Sequence, residues 1–149
     1  MEIRRSSLKF NNVLCAKTRS SVKDWYKDAQ ELRNAVIKNG LYATGPIFYK
    51  VENFNREEGE GDYSFYIPVN NRLKIKENSK YTFYNHFLIE DGLALKHVDL
   101  TEKLEESYDI IRACAKAQNF QVKEPFYNIY LEVYGSGIID IFAPIQEEK

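Results

Sequence analysis

Two stretches of the sequence share a pattern that decides the predicted fold. The first, YSFYIPV at residues 63–69, lies 76 positions before the second, IDIFAPI at residues 139–145. Each ends in an aromatic residue, one variable residue, a proline and an aliphatic residue. The expected helix starts, Ser21 and Asp99, are separated by a similar distance of 78 positions. A matched offset in two features indicates an internal duplication, with repeats at about 7–71 and 81–146.

Each repeat is predicted to contain a strand, a helix and two further strands. An apolar stripe with helical spacing starts at Val22 and ends at Asn39-Gly40, a pair typical of a left-handed helix end. The second helix is predicted to begin at Asp99, which forms a capping box with Glu102. Asp91-Gly92 predicts a hairpin turn between two strands.

These elements predict an α+β fold for a single domain that covers residues 1–149. The two β-α-β-β halves are expected to be related by a pseudo-two-fold axis and to form one antiparallel sheet. Both helices would then pack on one face of that sheet, and a central cleft would lie between the halves.

Composition excludes several classes of protein. The 21 basic and 22 acidic side chains give a net charge of -1, so the basic excess expected of a direct nucleic-acid binder is absent. No apolar run reaches the length of a membrane span, and the N-terminus does not resemble a signal peptide. The two distant cysteines, Cys15 and Cys114, favour a reduced, cytoplasmic protein.

Aromatic residues form 14% of the chain, and strand alternation groups many of them on one face. In residues 62–69 we assign Tyr63, Phe65, Ile67 and Val69 to the core. In residues 126–134 we assign Tyr127, Ile129, Leu131 and Val133 to the face beneath the helices. The alternating residues then form a ring-lined face with one acid. Such a face is typical of an apolar pocket with a few placed polar groups. The candidate ligand-binding residues are Glu132, Tyr130, Tyr134, Phe126, Tyr66, Phe142 and Tyr84.

Glu132 is the central candidate. A carboxylate among rings is costly unless it is paired or hydrogen-bonded. A flat cationic guest would supply both a counter-charge and ring contacts. The alternative is a structural glutamate bonded to a tyrosine hydroxyl or an arginine.

Several short motifs resemble those of the GyrI-like (gyrase-inhibitor-like) effector-binding domains. They are GLYATGP at residues 40–46, IPV at 67–69, YLEVY at 130–134 and API at 143–145. The resemblance implies a pseudo-symmetric sheet with two helices and an aromatic cleft. It also implies that Glu132, in the penultimate strand, faces cationic or polar aromatic guests. The DNA-binding segment of the regulators in that family is absent, so a regulatory role is expected to use ligand sequestration or a protein partner.

Three functions remain open at this stage. The first is non-catalytic sensing or sequestration of a small organic molecule, aromatic and cationic in character. The second is a small-molecule hydrolase, as described for some GyrI-like relatives, in which Glu132 acts with Tyr130, Tyr134 or Tyr84. The third is a ligand-free accessory protein that binds a protein partner. No cofactor, metal, membrane or direct nucleic-acid partner is predicted, because His86 and His97 lack metal-site spacing and no phosphate-binding loop is present.

Overall fold

The computed structural model describes residues 3–74, 76, 80–97, 103–133 and 136–146, without the side chains of residues 132, 133 and 136. A strand, a helix and two strands occur twice, as predicted, but residues 81–97 form one strand where two were predicted. The elements are β1 (Arg4–Ser21), α1 (Trp25–Lys38), β2 (Phe48–Asn55), β3 (Glu60–Pro68), β4 (Tyr81–His97), α2 (Leu104–Ala117), β5 (Tyr127–Val133) and β6 (Ser136–Pro144).

The predicted open sheet, with both helices on one face and a central cleft, is wrong. The hydrogen-bonded strand order is β1-β3-β2-β5-β6-β4, and it closes into a six-stranded antiparallel barrel. The alternation of apolar residues and the spacing of helical stripes predict single strands and helices. They do not show whether the edge strands of a sheet pair with each other. Closure removes the unpaired edges that an open sheet would expose. The length of β1 and β4, 18 and 17 residues, was also missed.

The chain divides into two compact units, which we describe separately. One contains residues 1–9 and 88–149, and the other contains residues 10–87. The division cuts β1 after Lys9 and β4 after Phe87, so each long strand contributes to both units. The predicted repeats at about 7–71 and 81–146 assign each of these strands to one half. The duplication itself stays a prediction.

In unit 10–87, β3 lies between β1 and β2, and α1 covers one face of the three strands. Tyr63, Phe65, Ile67 and Val69 are buried with the α1 side chains, as alternation predicts. The helix begins at Trp25, later than predicted, because β1 continues to Ser21. Its end is confirmed, since Gly40 has a φ of 79°.

In unit 1–9/88–149, β6 lies between β4 and β5. Helix α2 buries Ser107, Ile111 and Ala115. The Ser107 hydroxyl lies 2.8 Å from Nδ1 of the buried His97. The predicted helix start at Asp99 and the capping partner Glu102 lie outside the described residues.

The predicted hairpin at Asp91-Gly92 is wrong, because both residues lie inside β4. Gly92 is required there by a close approach. A Cβ at this position would lie 2.4 Å from Cζ of Phe142 and 2.7 Å from the Ala143 carbonyl oxygen. Arg5 donates to Asp91 through Nε and Nη2, at 2.8 and 2.5 Å, and this bonding lowers the pKa of the Asp91 carboxyl. Asp91 and Gly92 are therefore fixed within the strand by contacts with Arg5 and Phe142. An Asp-Gly pair in a sequence does not by itself form a turn.

Replacing Gly92 by alanine should destabilise the protein. The added methyl group must displace the Phe142 ring and a backbone oxygen, an overpacking change that costs about 1–3 kcal/mol. Urea unfolding of Gly92→Ala against wild type measures the loss. Gly40→Asn is the matched control, because no atom lies within 4 Å of its Cβ position and asparagine tolerates a positive φ. Equal stability of Gly92→Ala and wild type would contradict the contact.

The two thiols should differ in reactivity. Cys15 is fully buried, and desolvation raises its pKa to about 11, whereas Cys114 is partly exposed. Because the thiolate is the nucleophile, a disulfide reagent such as DTNB should label Cys114 first and Cys15 only on unfolding. The Cys114→Ser variant should then show no fast-reacting thiol under native conditions. Rapid native labelling of that variant would refute the assignment.

Candidate functional site

The seven candidate residues do not all fall within the described part of the chain. The Glu132 side chain and the whole of Tyr134 lie outside it. Of the other five, Tyr66 and Tyr84 belong to unit 10–87, and three belong to the other unit. These three are Phe126, Tyr130 and Phe142.

In unit 10–87 the structure brings Tyr66 and Tyr84 together with three phenylalanines. The Tyr66 ring stacks on Phe48 with centroids 4.8 Å apart and an interplanar angle of 5°. Phe87 packs 5.1 Å from Tyr66 and 5.7 Å from Tyr84, and Phe10 stacks on Phe48 at 5.1 Å. We call Phe10, Phe48, Tyr66, Tyr84 and Phe87 the ring cluster.

The ring cluster lies on the face of β2 and β3 that points away from α1. Tyr63 and Phe65, the neighbours of Tyr66 on the opposite face, pack with α1 instead. Phe48 and Tyr66 are buried, whereas the other three rings are partly exposed. The cluster therefore presents an outer layer of ring surface supported by two buried stacked rings.

Sequence reasoning found only part of this cluster. Tyr66 and Tyr84 were predicted as site residues, but Phe10, Phe48 and Phe87 were missed. Register supplies the missing signal, because Phe48 lies directly opposite Tyr66 and faces the same side of the sheet. That pairing depends on the loop between β2 and β3, which the sequence pattern does not specify.

The face that carries the ring cluster continues along the sheet as cross-strand rows. Residues directly opposite each other in antiparallel strands point to the same side. From the ring cluster outward, the rows are Cys15–Tyr66–Phe48, Lys17–Ser64–Lys50 and Arg19–Asp62–Glu52. We call them the aromatic row, the lysine row and the ion-pair row.

An open groove of about 360 Å³ lies at the polar end of this face. Lys17, Arg19, Asp62 and Ser64 contribute to its lining. Asp62 accepts hydrogen bonds from Asn53 at 2.9 Å and from Arg19 at 3.2 Å, and these bonds lower its pKa. Sequence reasoning missed this groove. The alternation of Lys17 with Arg19 and of Lys50 with Glu52 was the available signal.

In unit 1–9/88–149, Phe126 packs against α2. Its ring meets Tyr108 edge to face at 5.3 Å, and the Arg112 guanidinium lies 5.5 Å from its centroid. Arg112 also forms ion pairs with Glu105, Asp109 and Glu124. These contacts connect Phe126 to the helix.

The predicted face assignment of β5 is wrong. Tyr127 lies opposite Phe142, and Tyr130 lies opposite Ile139. Asn128 is buried on the α2 side, where its Oδ1 accepts a 2.5 Å hydrogen bond from the Tyr108 hydroxyl. The prediction placed the more apolar set of residues beneath the helix. It failed because a polar side chain such as Asn128 can be buried at little cost when its amide is hydrogen-bonded.

Among the described residues, no group of three His, Cys, Asp or Glu side chains could hold a metal ion. Neither described helix is long and apolar enough to cross a membrane.

Comparison with solved structures identifies proteins of the same fold. The chain of the EcmrR–DNA complex matches with a TM-score of 0.77 at 14% identity, over 98% of this chain and 58% of that one. This chain therefore spans a little over half the length of that relative. The EcmrR C-terminal domain matches with a TM-score of 0.70 at 13% identity, over 99% and 100% of the two chains.

Two further structures share the fold. A hydrolase from Listeria innocua matches with a TM-score of 0.63 at 10% identity, over 97% of this chain and 92% of that one. SAV2435 bound to tetraphenylphosphonium matches with a TM-score of 0.55 at 11% identity, over 98% and 94%. These likenesses fit the GyrI-like fold that the sequence resemblance implied.

The sequence itself is matched by one family model. No curated protein matches it significantly. The model matches residues 9–147, which is nearly the whole chain. The chain therefore belongs to the family described as Domain of unknown function (DUF5085).

Proposed function

We propose that this protein binds a small organic molecule, aromatic and cationic in character, for sensing or sequestration and not for turnover. The ring cluster is the observation that carries this proposal. Its outer rings, Phe10, Tyr84 and Phe87, are partly exposed and rest on the buried stack of Phe48 and Tyr66. An outer ring that is backed in this way can stack on an aromatic ring of a guest without exposing the core.

The chemistry of aromatic rings supports the choice of a cation. Ring faces are electron-rich and attract a delocalised positive charge, at about 0.5–2 kcal/mol for each contact. SAV2435, which shares this fold, is bound to tetraphenylphosphonium, a cation with four phenyl groups. Glu132, in the other unit, is proposed as a source of counter-charge for a cationic ligand on the Glu-X-Tyr pattern of residues 132–134 alone.

The contact between Ser107 and His97 does not favour turnover, because the two residues are 2% and 3% exposed and are therefore closed to a substrate. A protein partner that recognises the ligand-bound state would complete a sensing role. The net charge of -1 does not favour direct binding to DNA.

Tetraphenylphosphonium is the probe for this proposal. Wild type should bind it, as measured by calorimetry and by thermal stabilisation. Tyr84→Ala should weaken binding about fivefold through loss of one ring contact. Glu132→Gln should weaken it about tenfold, or ~1.4 kcal/mol. The matched controls are Tyr42→Ala, which removes a tyrosine that is 61% exposed outside the cluster, and Glu58→Gln, which removes an exposed loop acid.

Two results would overturn the proposal. The first is that wild type binds neither tetraphenylphosphonium nor cationic dyes. The other is binding that Tyr84→Ala leaves unchanged. Tyr84→Leu keeps apolar bulk without a ring, so it separates the ring contact from any loss of folding. If only Glu132→Gln has no effect, the counter-charge role is wrong and ring binding remains.

A hydrolase is the second candidate, favoured by the likeness to the Listeria innocua hydrolase. In this alternative Glu132 acts with a tyrosine on an ester or a strained ring. Steady turnover of such a substrate that is lost in Glu132→Gln would establish it. Turnover that survives in Glu132→Gln would exclude the assigned residue.

A further inference from the structure

The lysine row places two ammonium groups on either side of one hydroxyl. Lys17 of β1 and Lys50 of β2 both lie directly opposite Ser64 of β3. Cα atoms of opposite residues in antiparallel strands are separated by about 4.5–5.5 Å. Two lysine side chains can therefore reach the same point above Ser64.

The electrostatic surroundings of Cys15 agree with this register. Cys15, in the neighbouring aromatic row, is fully buried, and desolvation raises its pKa. The positive charges of Lys17 and Lys50 act against that rise, as does a hydrogen bond with Tyr66. Both charges therefore lie within electrostatic range of the same thiol.

The carboxylates near the lysine row already form hydrogen bonds or ion pairs with other residues. Asp62 is bonded to Arg19 and Asn53. Glu52 lies 3.5 Å from Lys50. Lys17, in contrast, is exposed and forms no ion pair within the described part of the chain. Of the four charged side chains that line the groove, Lys17, Arg19, Glu52 and Asp62, Lys17 is the one without an ion pair among the described residues.

The Ser64 hydroxyl is a second polar group in the groove, beside the Lys17 ammonium group. The residue is 4% exposed and lines the groove, yet its hydroxyl has no hydrogen-bond partner among the described residues. Its oxygen is not among the buried side-chain atoms that lack a partner, so it is open to the groove. An acceptor in the groove would satisfy it.

We propose that this groove binds the oxyanion of a small molecule, a carboxylate or a phosphate. Lys17 supplies the charge and Ser64 donates a hydrogen bond. Lys50 does not line the groove and stays paired with Glu52. The open volume of about 360 Å³ leaves room for a small organic acid. The site lies wholly within unit 10–87 and has the opposite charge preference to Glu132. It is therefore independent of the proposed function.

Calorimetry with sodium phosphate and with sodium benzoate, at constant ionic strength, tests the site. Wild type should bind at least one probe, and the pair of results shows which oxyanion is preferred. Lys17→Gln should weaken binding about tenfold, or ~1.4 kcal/mol. Ser64→Ala should weaken it about threefold, through one hydrogen bond. Lys17→Arg should retain most of the affinity.

Lys27→Gln on α1 is the charge-matched control and should bind the anion as wild type does. Failure of wild type to bind either probe overturns the proposal. So does equal binding by Lys17→Gln and wild type, which would make Lys17 an ordinary solvated lysine. Glu132→Gln should bind the anion normally, and Lys17→Gln should retain tetraphenylphosphonium binding, so failure of one proposal is distinguishable from failure of the other.

Discussion

The burial of β3 on both faces is the constraint on which unit 10–87 depends. From Tyr63 to Pro68 every residue of this strand is buried, although successive side chains point to opposite sides. One side packs with α1, and the other supports the ring cluster and the lysine row. A strand of this kind cannot shift by one residue, because a shift would exchange the two sets of side chains. The register that brings Lys17, Ser64 and Lys50 together is therefore fixed by packing on the opposite face.

The fold could be predicted from the sequence where one physical signal dominates. Helical spacing and Asn39-Gly40 located α1, and alternation assigned Tyr63 and Phe65 to the core. The prediction failed where a distant contact decides. In the sequence Gly92 resembles a turn residue, but in the structure it is required by the close approach of the Phe142 ring. Closure of the barrel depends on pairing between strands, which no local pattern specifies.

The candidate site shows the same division. Two of the predicted ligand-binding residues, Tyr66 and Tyr84, have ring centroids 6.3 Å apart, and their role in binding stays a prediction. The face of β5 that packs against the helix was chosen by counting apolar residues. That choice was wrong because Asn128, a polar residue, lies on the buried face, where its amide oxygen accepts a hydrogen bond from Tyr108. Lys17 and Lys50 were missed because lysine on a strand is usually a solvated residue. Only register shows that the two flank one buried serine.

The two units differ at one register position in a way that bears on ligand charge. Lys17 lies opposite Ser64 in unit 10–87, and Lys96 lies opposite Asp140 in the other unit. Asp140 is a carboxylate that also accepts from Arg4 at 2.5 Å, so cations near it have a counter-charge within the chain. Ser64 is neutral and leaves the charge of Lys17 unbalanced. Lys17 therefore faces a hydroxyl and remains able to attract an anion, whereas Lys96 faces a carboxylate. Because strand register fixes the position and side-chain chemistry fixes the charge, two β-α-β-β units of the same element order can differ in the ligands that they favour.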